Sequence, residues 1–560
     1  MTHRGGTADC ILLGDVLPLD AANSRADAVA IADGRILFAG RRDDVMQLRG
    51  NNTRIHDFGA SAIIPGFNDT HAHSDSLGLK TIRPSLQGAR SIKDVLDRIR
   101  ALVAGTPKGE WVVTMPIGEP PYYWEADKLL AEGRLPDRHD LDSVAPDHPV
   151  YITSPSGFWG EPPSFMILNS LGLKLNGIDR TTKPRVDGVE ILLDASGEPT
   201  GIIVERNYMR MAEPDLLPAT PRFRLEDRIE GLRRSLPMYH EKGTTSVYEG
   251  HGCAPDVVAS FRELWERKEL SLRSGLVLSP AWLGTSEAEY AMRHWMPWAR
   301  GQGFGDEMLK ISGVFVGYGG NLQFNDLLRK NMGDIGWGGG LPNVNSPADY
   351  EEICMLAGKY DLRLHTLASD KLHELVPILE RVARHYPIGQ RRWVIEHISK
   401  ASPRDLQAIK AMGVAVTLIP AHYLWKVARP FADLDEQQLD LLSPAKALVE
   451  LGVPVSAATD AVPNDPLFCM WTMIARKDRR TGRVMGPGGS VSNETALRLL
   501  TVNGSWLTFE ENRKGPLLPG YYADLAVLSG NPLTATTEGL LDISCTATMV
   551  GGRWVYGAPS

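Results

Sequence analysis

The chain has 560 residues, of which 43% are hydrophobic and 23% charged, and its formal net charge is −8 at pH 7. These proportions are typical of a folded globular protein and exclude a disordered or fibrous chain. The 68 acidic residues outnumber the 60 basic ones, and no basic stripe stands out, so a nucleic-acid-binding protein is not expected. Length alone allows three or four domains.

Five cysteines are scattered along the chain and form no CxxC pair, which favours a reducing compartment. The first residues contain no apolar leader segment, and no run of about 18 apolar residues occurs. We therefore expect a soluble cytoplasmic protein that does not contact a membrane.

The two ends of the chain resemble each other and differ from the middle. Residues 8–64 read as short β segments, and ADLAVLSG and ATMVGGRWVYG near the other end continue the pattern. Neither end is long enough to form a stable hydrophobic core of its own. We predict one composite β domain, a sandwich built from residues 1–64 and 515–560.

The middle, residues 65–514, alternates short apolar runs with helix-like stretches. Eight segments read as strands: 61–73, 244–250, 272–280, 308–316, 362–366, 393–397, 414–420 and 454–460. Ser402 and Gly413 are suited to begin and end an intervening helix. Eight strand–helix units predict an α/β fold with a (β/α)8 TIM-like barrel, and a doubly wound sheet is the alternative.

Residues 77–235 interrupt this alternation after the first strand. The segment is far too long for a βα loop and contains an amphipathic helix at 91–103. We predict a large inserted subdomain, which in a barrel would lie at the catalytic face.

Six side chains of metal-binding type lie on the barrel strands. His71 and His73 form an HxH pair, and residues i and i+2 of a strand point to the same side. The other strand-end residues are His365, His397 and Asp460, while Lys310 lies inside an apolar run, where an unpaired ammonium is costly.

Three interpretations of Lys310 remain open. The side chain extends to the barrel rim, or the lysine is neutral, or carbon dioxide converts it to a carbamate, which can bridge two cations. With the carbamate, the six residues suit one or two divalent ions, for which zinc is the favoured metal. Chance placement of these residues at strand ends is the alternative.

Several motifs resemble those of the amidohydrolase superfamily. PGFNDTHAHSD is similar to its first-strand signature, and LKISG, RLHTLASD, WVIEH and ATDAVPNDP resemble the motifs of the fourth, fifth, sixth and eighth strands. RHDLDSVAPDHPVYI and GEPTGII resemble the insertion of the amidohydrolase 3 (YtcJ-like) group, which includes N-substituted formamide deformylase-like enzymes. The resemblance covers nearly the whole chain.

The resemblance implies a role for each ligand. His71 and His73 would bind the more buried metal, carboxylated Lys310 would bridge, and His365 and His397 would bind a second metal. Asp460 would contact the first metal and act as the catalytic general base and then acid. The chain departs from the group in TLASD after His365 and in TMPIGEPPYYW at 114–124, which indicates a different substrate.

Five residues are candidates for a substrate pocket. They follow strands or lie in the insertion: His251, His422, Tyr122, Trp124 and Trp159. For His251 the alternative is a loop histidine with local hydrogen bonds, and for the aromatic residues it is the insertion's own core.

Together these observations predict a metal-dependent hydrolase that cleaves a C–N bond of amide type in a small organic molecule. A deaminase or another reaction on the same scaffold, and a non-catalytic barrel, are the alternatives. We expect a homodimer.

Overall fold

The computed structural model describes residues 6–120, 122–155, 160–207, 211–279, 282, 284–319 and 345–558. Two compact units divide the chain. The described parts of 1–74, 235–320 and 340–560 form the first unit, and those of 75–234 belong to the second. Among the residues described here, none of the helices is both long and apolar enough to cross a membrane.

The strands in chain order are β1 Ala8–Val16, β2 Ala26–Ala32, β3 Arg35–Gly40, β4 Arg49–Pro65, β5 Phe67–Asp69, β6 Val112–Thr114, β7 Val150–Ile152, β8 Ser164–Leu168, β9 Val189–Leu193, β10 Pro199–Glu205, β11 Thr244–Cys253, β12 Arg273–Leu278, β13 Phe304–Gly305, β14 Leu309–Phe315, β15 Leu364–Ser369, β16 Val394–Ile398, β17 Ala415–Leu418, β18 Val455–Ala457, β19 Leu525–Leu528, β20 Cys545–Val550 and β21 Arg553–Tyr556.

The α-helices are α1 Arg42–Met46, α2 Ser74–Leu77, α3 Ile92–Ala104, α4 Ala126–Leu129, α5 Arg138–Asp142, α6 Ser170–Leu175, α7 Ala212–Leu216, α8 Leu225–His240, α9 Pro255–Glu266, α10 Thr285–His294, α11 Pro347–Lys359, α12 Leu372–Ala383, α13 Pro403–Met412, α14 Glu436–Asp440, α15 Ala445–Glu450, α16 Pro466–Ala475, α17 Asn493–Leu499 and α18 Asn503–Leu507.

Both ends of the chain contribute to one seven-stranded sheet. Its order is β21-β20-β19-β4-β1-β2-β3, so the C-terminal strands join the N-terminal ones where β19 pairs antiparallel with β4. Apolar side chains from both ends, such as Leu12, Ile63 and Val527, are buried in the same cluster. The sheet therefore has a core that neither end supplies alone.

Eight parallel strands form a nearly closed barrel in the order β5, β11, β12, β14, β15, β16, β17 and β18. Hydrogen bonds join the first and last strands, because the Thr70 hydroxyl contacts the Ser456 hydroxyl at 2.9 Å and the Thr459 amide donates to Asp69 at 3.0 Å. The prediction of a TIM-like barrel is confirmed, and the doubly wound alternative is excluded.

The helices between the strands follow the local signals in the sequence. Ser402 caps α13 by accepting a hydrogen bond from the Asp405 amide, and Gly413 ends the helix in the left-handed conformation with φ +68°. Side chains of α11 to α13, including Ile353, Leu379 and Ile409, are buried in one cluster with Ile395 of β16. This packing holds the strand ends in place.

The second unit contains a five-stranded sheet with the order β6-β7-β8-β10-β9. Helix α3 begins at a capping box formed by Ser91 and Asp94, as the amphipathic pattern at 91–103 predicts. Its residues Val95 and Ile99 are buried with Val112 and Val150 of the sheet.

Candidate metal centre

The HxH pair lies just beyond the first barrel strand rather than within it. Strand β5 ends at Asp69, and the following residues are held by hydrogen bonds, since the Ala72 amide donates to the Tyr248 carbonyl at 2.8 Å. The ring centroids of His71 and His73 lie 5.5 Å apart. The two imidazoles therefore converge because the backbone is tied to β11, not because of strand alternation.

His71, His73 and Asp460 have ligand atoms within 4.8 Å of one another. His73 Nε2 lies 2.9 Å from Asp460 Oδ1, and His71 Nε2 lies 3.8 Å from the same oxygen. His397 joins the group, with its Nε2 at 2.8 Å from His71 Nε2 and 4.0 Å from Asp460 Oδ1. These four residues form the candidate metal centre.

Backbone strain accompanies the two residues contributed by the later strands. His397 has φ +57° and Asp460 has φ +56°, both in the left-handed region that residues other than glycine seldom adopt. Asp69 supports the second of these turns by accepting hydrogen bonds from the Thr459 amide and hydroxyl. Strain of this kind concentrates at functional sites, where it directs side chains to a common point.

Burial sets the protonation of the imidazoles. Desolvation lowers the pKa of His71 to about 3 and that of His365 to about 4, and it lowers the pKa of His422 well below its usual value. All three are therefore neutral near pH 7, which is the form that binds a metal ion.

Asp460 indicates that the site is built for a cation. Its side chain is fully buried, and its oxygens lie within 4.0 Å of ring nitrogens of four imidazoles: His71, His73, His397 and His422. A buried carboxylate needs a positive partner or a proton. Three imidazole nitrogens and one carboxylate make a donor set that suits zinc or a similar divalent ion, so the residues fit the expected metal.

Lys310 forms an ion pair in the structure, and its role as a bridging carbamate stays a prediction. Lys310 is the second residue of β14, and its Nζ donates to Glu510 Oε1 at 2.9 Å. His365 of β15 pairs with Phe315 of β14. Phe315 lies five residues after Lys310 on β14, so the backbones of these two residues are about 16 Å apart. The ion pair with Glu510 stabilises the ammonium that appeared costly in an apolar run.

His365 is likewise outside the group of four. Its Nδ1 lies 2.7 Å from Glu396 Oε1 and its Nε2 lies 3.0 Å from the Tyr248 hydroxyl. Among the described residues, the imidazoles nearest Asp460 are thus those of His71, His73, His397 and His422, and the pairing of His365 with His397 at a second ion stays a prediction.

Of the five residues predicted to line a substrate pocket, His422 is the one whose described side chain lies beside the metal centre. His422 follows β17 and places Nδ1 3.8 Å from Asp460 Oδ2, so it lies beside the metal centre. His251 lies within β11, but its side chain and the whole of Trp159 lie outside the described residues. Tyr122 and Trp124 of the second unit stack on each other, with centroids 4.2 Å apart.

Four supporting residues were not predicted from the sequence: Asp69, Tyr248, Glu396 and Thr459. The sequence contains an indication of one of them, because Glu396 is a charged residue in the apolar run WVIEH. Lys310 likewise is a charged residue in an apolar run. Burial raises the pKa of Glu396 above its usual value and that of Asp69 to about 6. Both carboxylates belong to the buried surroundings of the histidines.

The amidohydrolase family profile matches residues 61–556. The chain belongs to the amidohydrolase family. It is 24% identical to N-substituted formamide deformylase of Arthrobacter pascens, with 98% of both chains covered. It is also 24% identical to the putative amidohydrolase YtcJ of Bacillus subtilis (strain 168), over 95% of this chain and 96% of that protein. The expected membership of the YtcJ-like group is confirmed.

The fold is also that of a solved structure. An uncharacterized metal-dependent hydrolase from Pyrococcus horikoshii OT3 matches 94% of this chain and 99% of its own, with a TM-score of 0.68 and 19% identity. The chain is thus a member of a hydrolase family with the matching barrel fold. The bond that it cleaves is a separate question.

Proposed function

We propose that this amidohydrolase cleaves a C–N bond of amide type in a small organic molecule, with one divalent ion, zinc by preference, held by His71, His73, His397 and Asp460. The observation that carries the proposal is the buried Asp460 carboxylate, which faces imidazole nitrogens of the first and sixth strands. The full-length similarity to a formamide deformylase supports the amide class.

When bound, the ion supplies a water of lowered pKa and polarises the carbonyl group. Asp460 supplies the proton transfers. Its Oδ1 faces His73, whereas Oδ2 faces His422. We assign to Oδ2 the uptake of the proton from the attacking water and its return to the leaving nitrogen, which is general base and then general acid catalysis.

Neutral His422 is placed to orient the substrate. It is buried on a short π-helical turn, Ala421–Lys426, directly after β17. We propose that its ring contacts the substrate carbonyl or the attacking water beside Asp460.

The proposal is tested by assaying the purified protein with a panel of N-substituted formamides, N-acyl amines and amino-substituted heterocycles. Release of a carboxylic acid and an amine, with a metal content near one equivalent, is the expected result. Ammonia release from the heterocycles alone would favour a deaminase. A protein that binds no transition metal would contradict the proposal.

A further inference from the structure

Exposed aromatic side chains are concentrated on one stretch of the unit that contains the barrel. Six aromatic side chains are strongly exposed among the described residues, and five of them lie within residues 265–304. Their exposed fractions range from 39% to 68%. We call these five residues the aromatic patch: Trp265, Tyr290, Trp295, Trp298 and Phe304.

Contacts join the two ends of the aromatic patch. The centroids of the Trp298 and Phe304 rings lie 6.2 Å apart. Phe304 begins β13, and Asp306 directly after this strand accepts a hydrogen bond from the Trp265 indole at 2.9 Å. The aromatic rings that follow α10 are therefore linked through β13 to the end of α9.

Helix α10 has one buried face and one exposed aromatic face. Ala288, Ala291 and Met292 are buried in the same hydrophobic cluster as the barrel strands, which fixes the helix. On the other face Tyr290 is 65% exposed, and its ring lies beside that of His294 with centroids 4.6 Å apart. A fixed surface with exposed aromatic rings is typical of an interface with another protein.

Opposite charges lie at equal distances on either side of Tyr290. Glu287 is in the first turn of α10 and Arg293 is in its last turn, and both are exposed. Each is three residues from Tyr290, so both share its face of the helix at about 4.5 Å along the axis. The charges on this face are therefore symmetric in position and opposite in sign.

The area of the aromatic patch is close to what a stable dimer needs. Aromatic side chains present roughly 200 Å² each, so the exposed parts of these five amount to about 500 Å². A stable dimer buries about 800 Å² on each partner. The patch would supply more than half of that area, and the charged residues around it would form the polar rim.

We infer that the aromatic patch is the interface between two copies of this chain, related by a two-fold axis beside Tyr290. The two α10 helices then run antiparallel, and Glu287 lies opposite Arg293 of the partner subunit. A second copy fits because each copy carries both charges at the same spacing, as an interface of this symmetry requires. A partner of one charge sign would face a like charge at one end of α10.

The inference is independent of the proposed function. The aromatic patch is defined by residues 265–304, whereas the candidate metal centre is formed by His71, His73, His397 and Asp460. Metal binding and amide cleavage can therefore fail while the dimer is retained, and the reverse also holds.

Sedimentation equilibrium of the full chain measures the Kd of the dimer for wild type, Glu287→Arg, Arg293→Glu and the double variant. Each single reversal creates two like-charge contacts across the axis, so we expect the Kd to rise at least about 10-fold. The double variant should regain the wild-type Kd. An equimolar mixture of the two single variants should also dimerise, because the mixed dimer contains two pairs of opposite charge.

Arg384→Glu is the matched control, because Arg384 is an exposed arginine at the end of α12 and lies outside the aromatic patch. We expect this variant to keep the wild-type Kd. Trp298→Ser tests the apolar part of the interface and should weaken the dimer at least about 10-fold. The far-ultraviolet circular dichroism spectrum of each variant separates loss of the interface from loss of the fold.

Three outcomes would overturn the inference. They are a wild type that stays monomeric up to high micromolar concentration, a wild-type Kd in both single reversals, and no recovery in either the double variant or the equimolar mixture. A monomer that co-sediments with vesicles of phosphatidylcholine and phosphatidylglycerol would assign the aromatic patch to a membrane surface instead.

Discussion

At the scale of single residues, the candidate site separates into groups that hold a metal and groups that orient them. The sequence predicted His71, His73, His397 and Asp460 as ligands, because HxH and strand-end residues are visible as patterns, and the structure brings these four side chains close together. The sequence could not predict the contacts of Lys310 and His365, which depend on the partners Glu510 and Glu396. Such partners are distant in sequence and become neighbours only through the strand order.

Asp460→Asn tests the proton-transfer role. Asparagine keeps the shape and one oxygen but cannot accept a proton, so we expect kcat to fall about 10²- to 10⁴-fold. The far-ultraviolet circular dichroism spectrum should be unchanged. Turnover at the wild-type rate in steady-state assays would remove Asp460 from the mechanism.

His240 provides a prediction of pH dependence away from the metal centre. Burial lowers its pKa to about 4, and its Nε2 lies 2.8 Å from the Ser271 hydroxyl. Because the folded state disfavours the charged imidazole, the unfolded state binds more protons between pH 4 and 6.5. The free energy of unfolding therefore decreases as the pH falls through that window.

Urea unfolding of wild type and His240→Gln between pH 7.5 and 5 measures this term. We expect the wild-type free energy of unfolding to fall more steeply than that of the variant, by up to roughly 2 kcal/mol between pH 6.5 and 5. Exposed His385 serves as the control, since His385→Gln should keep the wild-type slope. Equal slopes for wild type and His240→Gln would contradict the assignment.

At the scale of elements, local signals predicted the barrel strands and two of the helix starts well, because caps and apolar periodicity act over a few residues. The first strand was predicted as 61–73, but β4 and β5 divide that run. Ala62 to Pro65 pair with β19, whereas Phe67 to Asp69 enter the barrel. A continuous apolar run does not reveal which of two sheets each part joins.

The ion-pair cluster at the start of β14 has a structural role, which Lys310→Met and Glu510→Gln test. Glu510 contacts Lys310 at 2.9 Å and Lys514 at 2.7 Å, and its pKa lies well below its usual range because these lysines outweigh the effect of burial. Glu510→Gln leaves the lysine charges without a buried partner, so we expect a loss of about 3–5 kcal/mol in unfolding free energy.

Both variants should retain a full complement of metal by elemental analysis. The Glu510 contribution to stability is present above the unfolded-state pKa of a glutamate and is lost as pH falls below it, so the wild type and Glu510→Gln should converge in stability in acid. A Lys310→Met protein that lacks metal would instead support the bridging carbamate.

At the scale of the whole molecule, the length that first allowed three or four domains is divided between a first unit with the barrel and terminal sheet and a second unit formed by the described parts of 75–234. Pattern could predict that an insertion exists, but not its fold, because its five-stranded sheet pairs strands of only three to seven residues. The homodimer and the cytoplasmic location stay predictions.

Metal binding should stabilise the whole barrel unit, because the four ligands come from the sixth strand and from the segments that follow the first and eighth strands. An ion that binds only the folded state adds about 4 kcal/mol when its concentration is 1,000 times its Kd. We expect the thermal midpoint to rise with added zinc and to fall on chelation. His73→Ala should abolish both shifts, and an equal zinc response in this variant would contradict the assigned ligand.

We propose that His71, His73, His397 and Asp460 together bind a single divalent ion. Anomalous diffraction at the absorption edge of the bound metal, measured on crystals of the metal-loaded protein, tests it most directly. We expect one anomalous peak within about 2.0–2.2 Å of a ligand atom from each of these residues. A peak coordinated by His365 or Lys310, or no peak among the four residues, would contradict it.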